Sequence, residues 1–126
     1  MAKETYGGYR DLKVYQLSYE LALEIHEITE LFPKEEKYSL TDQIRRSSRS
    51  VPATIAEAWK KRRYQKMFVA KIVDAAGEAG ETEVWLDFSK DFGYLTEAKH
   101  FELTNRYDEV NRMLYGMIEK AEKFAR

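Results

Sequence analysis

Apolar side chains recur at steps of three and four along four long stretches of this chain, and almost nothing interrupts them. Only two prolines and six glycines are spread over 126 residues. A backbone so free of breakers, carrying that period, is committed to α-helix and offers no alternating pattern from which a sheet could be built.

The first stretch places Val14, Leu17, Leu21, Ile25, Ile28 and Phe32 on one face, with Asp11 as its expected N-cap and an end near Leu31, ahead of Pro33. After the polar loop PKEEKY, Ser39 or Thr41 is expected to cap a second helix, Ser39 and Asp42 having the spacing of a capping box. Its stripe reads Leu40, Ile44, Ser48, Val51, Ile55 and Trp59 and runs straight through Pro52. That continuity predicts one kinked helix, with two helices meeting at Ser50 as the alternative.

A third helix is expected over residues 65–92, with Phe68, Ile72, Ala75, Ala79 and Leu86 on one stripe and Val69, Val73, Ala76 and Val84 on its neighbour. This apolar arc is wider than one bundle covers, so the chain is expected to be homo-oligomeric, a second copy being the simplest partner. Ala75, Ala76, Gly77, Ala79 and Gly80 would allow close approach of a neighbouring helix, and Gly93 supplies the stop. The last helix starts within residues 96–101 and repeats Leu103, Tyr107, Val110, Leu114, Met117, Ala121 and Phe124 as a heptad seam. Four amphipathic helices joined by short loops describe an all-α, up-down-up-down four-helix bundle. The expected organisation is one domain over 1–126, with 1–10 as an N-terminal tail.

Charge is distributed unevenly along these helices. Residues 43–71 hold nine basic side chains and a single acid, Glu57, a local +8 in a chain whose total is −1, so the remainder carries −9. Separation of this kind creates a field suited to phosphate, anionic lipid or an acidic protein. On a wheel at 100° per residue with Ile44 at zero, Arg45, Arg49, Lys60 and Arg63 fall between about 100° and 160°, with Ala53 and Ala56 among them. Arginine forks suit phosphate, and alanines let a backbone approach. The candidate nucleic-acid-binding residues are therefore Arg45, Arg49, Lys60, Lys61, Arg62, Arg63 and Lys66, the run Lys60 to Arg63 having no obvious local acid to relieve it. Tyr64 and Trp59 flank the cluster and could stack on bases, although core packing is the simpler role for Trp59. The structural alternative for Arg45, Arg46 and Arg49 is pairing with Glu57, Glu81 or Glu83 to fix helix register.

Other chemistry is weakly represented. The chain has no cysteine, which removes disulfides, thiolate zinc sites and cysteine nucleophiles and fits a reducing cytoplasm. No stretch approaches the roughly 18 uninterrupted apolar residues of a membrane span, so neither membrane nor secretion is expected. Glu97 and His100 form one Glu-x-x-His spacing, but the only other histidine, His26, follows Leu23 at that distance, and a di-iron bundle needs two such motifs. The GEAG run at Gly77 to Gly80 lies in acidic, helical surroundings unlike a phosphate loop. Glu83 falls inside the wide apolar arc and requires a cationic or hydrogen-bonding partner. No catalytic residue, cofactor or metal is expected.

Three segments carry a family resemblance: YRDLKVYQLSYELA in the first helix, LFPKEEKYSLTDQIRRSSRSVPATIAEA across the first loop and second helix, and ETEVWLDFSKDFGYL closing the third. They resemble the small helical proteins encoded in intervening sequences of bacterial 23S ribosomal RNA genes. The resemblance implies a left-handed four-helix bundle, commonly a pentamer, without recognised catalytic activity. A related set of bundles serves as accessory proteins of diversity-generating retroelements, where a basic pentameric barrel meets nucleic acid and the reverse transcriptase. The family shows asparagine and glycine in the segment that here reads ATIAEA, so Thr54 and Ala58 depart from it. Together these readings favour a non-enzymatic oligomer that binds RNA or DNA through helices two and three. The alternative is a protein-interaction scaffold whose basic patch meets an acidic partner.

Overall fold

The computed structural model describes residues 7–125, and all regular structure in them is helical. Five helices follow in order: α1 (Lys13–Thr29), α2 (Leu40–Lys60), α3 (Gln65–Asp91), α4 (Glu97–Glu119) and a single turn, α5 (Ala121–Phe124). The periodic stripes become the core. Leu21 and Ile25 of α1, Ile44, Val51 and Ile55 of α2, Phe68, Ile72 and Leu86 of α3, and Leu103, Tyr107, Val110 and Leu114 of α4 are all buried. Each such aliphatic or aromatic side chain contributes about 1.5 to 3 kcal/mol on removal from water.

α2 is continuous through Pro52, as its stripe predicts. Pro52 is itself buried, and because it has no N–H the Ser48 carbonyl lacks its usual helical donor. Gly93 stops α3 with φ of 84°, a conformation that favours glycine, and Thr96 caps α4 by accepting the Lys99 amide at 3.1 Å.

The other caps differ from the sequence reading. Asp11 does not cap α1. It ends a 3-10 turn, Tyr9–Asp11, and accepts the Gly7 amide at 2.6 Å, while Leu12 occupies the cap position with its side chain buried. This turn begins inside the expected tail, and Tyr9 packs edge-on against Tyr15; residues 1–6 of that tail lie outside the described residues. At α2 the cap comes from a residue upstream. Glu36 accepts both the Ser39 hydroxyl at 2.8 Å and the Leu40 amide at 3.3 Å, so no Ser39–Asp42 box forms. The other oxygen of Glu36 accepts the Tyr94 hydroxyl at 2.9 Å and ties the first loop to the α3–α4 loop. The final seam is interrupted at Lys120, between α4 and α5, yet Ala121 remains buried.

Polar contacts set how the helices meet. His26 and Thr29 of α1 face Arg49 and Arg45 of α2, and Ser47 and Glu57 of α2 face Thr82 and Lys71 of α3. Glu83 and Asp87 of α3 face Asn111 and His100 of α4, so partners run in opposite order along consecutive helices. Glu24 closes α1 onto α4 through Arg106 at 2.7 Å and Lys99 at 3.1 Å. Burial alone would raise the Glu24 carboxyl, but the hydrogen bonds from these two cations outweigh it and hold the group below the usual carboxylate range.

Among the described residues, one buried side-chain polar atom lacks a hydrogen-bond partner: the Tyr107 hydroxyl. Thr82 lies beside it with its own hydrogen on the Glu78 carbonyl or on Ser47, and its oxygen, which could only accept from Tyr107, is not placed to form that hydrogen bond. An unsatisfied buried hydroxyl costs about 1 to 3 kcal/mol. Tyr107→Phe should therefore raise stability by about 1 kcal/mol in urea unfolding, and a loss of that size would show that the hydroxyl is satisfied in solution.

Candidate nucleic-acid interface

The seven basic residues predicted as one interface divide into two groups. Arg45 turns towards α1, where its Nε donates to Thr29 Oγ1 at 2.8 Å and its Nη2 to the His26 carbonyl at 3.3 Å. Arg49 meets His26 Nδ1 at 3.0 Å. Neither pairs with the glutamates weighed from sequence. They pin the α1–α2 register, and the single stripe of Arg45, Arg49, Lys60 and Arg63 does not form, because α2 ends at Lys60 and Arg63 lies in the following turn.

The second group surrounds the α2–α3 corner. Tight turns follow Lys60, with the Lys61 amide donating to the Ala58 carbonyl and the Tyr64 amide to that of Lys61, before α3 begins at Gln65. Lys61 is partly neutralised by Glu57 at 3.3 Å, and Lys71 reaches the same oxygen at 3.3 Å. Their hydrogen bonds hold the Glu57 carboxyl below its ordinary range. The run Lys60 to Arg63 thus has a local acid after all, in the i,i+4 position that favours a glutamate preceding a lysine. Arg62 folds back, donating to the Trp59 carbonyl at 2.9 Å with its guanidinium 4.2 Å from the indole centroid. Trp59 is buried and meets the Phe124 ring edge-on at 6.0 Å, so it belongs to the core and is closed to bases.

Lys60, Arg63 and Lys66 remain. All three are exposed and have no acidic partner among the described residues, and Tyr64 between them is 62% exposed. Three exposed cations close in sequence to an exposed aromatic ring can neutralise phosphates and offer a base a surface to stack on.

The remaining singled-out residues have structural partners. Glu83 accepts from Asn111 at 3.1 Å and Glu81 from the Trp85 indole at 3.2 Å. His100 meets Asp87 at 2.7 Å instead of joining Glu97, and among the described residues no three His, Asp or Glu side chains are grouped to hold a metal ion. Ala58 is fully buried within the core. Burial, reinforced by the nearby Asp108 charge, raises the Glu83 carboxyl despite the Asn111 bond. Its ionised form therefore disfavours folding above the raised folded value, and the penalty vanishes below the unfolded value. Glu83→Gln, which keeps an acceptor for Asn111, should stabilise the protein by about 0.5 to 1 kcal/mol near pH 7.5 and by nothing near pH 3.5. Equal effects at both pH values would remove the carboxylate as the cause.

The geometry agrees with what the chain is similar to. Residues 10–116 match the model of the 23S rRNA-intervening sequence protein family. The chain belongs to that family. A crystal structure of a protein of unknown function from the S23 ribosomal protein family of Bacteroides thetaiotaomicron VPI-5482 superposes on it with a TM-score of 0.75 at 31% identity, covering 83% of this chain and 97% of that one. No curated protein matches. Nothing in these similarities indicates an enzyme family, and no described helix of this intervening-sequence protein is long and apolar enough to cross a membrane.

Proposed function

We propose that this intervening-sequence protein is a non-enzymatic, homo-oligomeric bundle of left-handed, up-down-up-down type that binds nucleic acid, RNA foremost, through the α2–α3 corner. The observation that carries the reading is the exposure of Lys60, Arg63 and Lys66 at the α2–α3 corner beside the exposed Tyr64 in the sequence, all three free of acidic partners among the described residues. The kinship with retroelement accessory bundles suggested by the sequence points the same way. Contacts of this kind are made to phosphates and to the faces of bases, so affinity is sequence-tolerant and falls with salt. Retention of single-stranded RNA at low salt tests it.

Self-association, with a pentamer as the favoured state, is supported by the outer face of α3, where Val73, Val84 and Phe88 are 44 to 51% exposed. In sedimentation at micromolar concentration the protein should run well above its 14.9 kDa chain mass. A single monomer peak would contradict it. The second reading is a scaffold whose exposed basic corner, Lys60, Arg63 and Lys66, meets an acidic protein and which binds no RNA.

A further inference from the structure

The end of the bundle away from the basic corner has the reverse character. The loop between α1 and α2 meets the loop between α3 and α4 there, tied by the Tyr94 hydroxyl donating to Glu36 at 2.9 Å. The Tyr94 ring packs against Phe32 at 5.2 Å and Phe92 at 5.8 Å, so both loops rest on one aromatic support. Glu36 also holds Ser39 and the Leu40 amide, which fixes the first loop onto the start of α2. A surface held in this way meets a partner without first being ordered, and that removes part of the cost of binding.

Among the described residues, the three most exposed large apolar side chains all stand at this end: Leu31 at 89%, Tyr38 at 86% and Phe101 at 66%. Leu31 follows α1, Tyr38 precedes α2, and Phe101 lies in the second turn of α4. A single exposed apolar side chain needs no explanation, but a group gathered from three segments at one end marks an interaction surface. The charge around it is acidic. Residues 27–42 and 87–102 together carry nine Asp and Glu against four Lys, a net of −5 in a chain whose total is −1. Glu27, Glu35, Asp42 and Glu97 are exposed and have no cationic partner among the described residues. The Lys37 ammonium already stands 5.3 Å from the centroid of the Tyr38 ring.

We infer that this end is a docking surface for a basic protein segment, whose aliphatic or aromatic side chains cover Leu31, Tyr38 and Phe101 while its lysines and arginines meet the unpaired acids around them. The sign of the charge selects the partner. Nucleic acid, anionic lipid and acidic proteins are all repelled by a surface of net −5, whereas a segment with basic side chains around an apolar centre gains from both charge and burial. Apolar anchors at the centre and a charged rim are the usual division of labour at such a surface. The inference does not depend on what the α2–α3 corner binds, because the two loops that build this end contribute nothing to that corner.

Selection from displayed random peptides of about 16 residues, roughly four turns if helical, on the immobilised full chain at about 150 mM salt tests this. The recovered peptides should be net basic and carry several large apolar residues. Synthesised and labelled, they should bind the wild-type protein at least about tenfold more tightly than the combined variant Leu31→Ser, Tyr38→Ser and Phe101→Ser, since lost anchors dominate binding energy. All three side chains are exposed, so circular dichroism should stay helical. Should that variant lose structure, Glu35→Lys combined with Glu97→Lys replaces it and should weaken binding to a similar degree. Reversal of Lys60, Arg63 and Lys66 to glutamate should leave peptide binding at least as tight as in the wild type. Absence of a basic peptide class that depends on Leu31, Tyr38 and Phe101 would overturn the inference. A change in sedimentation of the serine variant alone would also overturn it, by assigning this end to contacts between copies of the chain.

Discussion

Reversing the charge of Lys60, Arg63 and Lys66 together to glutamate should lower affinity for single-stranded RNA at about 50 mM salt by at least about 100-fold, on the basis that three lost phosphate contacts at roughly 1 kcal/mol each already account for that factor. All three side chains are exposed and unpaired with acids among the described residues, so the helical signal should be unchanged. The corresponding change at Lys61 and Arg62 should cost much less binding, because Glu57 and Trp59 already occupy those side chains. Arg45→Gln and Arg49→Gln should leave RNA affinity nearly intact and act on stability, since their hydrogen bonds run to Thr29 and His26. A filter-binding series over the three sets distinguishes the corner from the original seven-residue patch. If the Arg45 and Arg49 variants lose as much affinity as the triad, the interface extends along α2 and is not confined to the corner.

The second large effect belongs to the packing beneath that corner. Phe68 has no exposed surface and stacks on Phe124 at 5.8 Å, the same ring that Trp59 meets edge-on. Phe68→Ala should cost about 3 to 5 kcal/mol, because the cavity left by a phenyl ring adds to the lost transfer energy. For a chain of this length 1 kcal/mol corresponds to roughly 4 °C, so the melting temperature should fall by about 12 to 20 °C. Calorimetry checks it. A drop under about 4 °C would mean that α5 and the start of α3 collapse onto the space and that the corner is not held from below.

How far the sequence alone reaches is seen by comparing α2 with its own arginines. The stripe from Leu40 to Trp59 is a local property, set by a period of 3.6 residues, and every member of it is buried as read. The same holds for the seam from Leu103 to Met117 of α4 and for the stop at Gly93, where only the residue and its neighbours matter. Arg45 and Arg49 are different. Their partners, His26 and Thr29, lie 16 to 23 residues away on α1, and no sequence spacing specifies which turn of one helix faces which turn of the next.

Two features of the basic run are local and legible in the sequence. Glu57 and Lys61 stand four residues apart on one helix face, and Trp59 and Arg62 three apart, the spacings at which a salt bridge and a cation over a ring form. Recognising them leaves Lys60, Arg63 and Lys66 as the available cations of the run from Lys60 to Lys66. The cap of α2 was not legible in the same way, because Glu36 reaches it from a 3-10 turn before the helix, outside the capping-box spacing.

The central claim, an electrostatic nucleic-acid interface at the α2–α3 corner, is tested most directly by fluorescence anisotropy of a labelled single-stranded RNA with the wild-type protein, titrated from about 50 to 200 mM salt. Three phosphates neutralised per engaged subunit predict binding at the low end and a log–log slope between about 2 and 3 for each subunit in contact. An absence of binding at about 50 mM salt would contradict the account and leave the scaffold reading in its place.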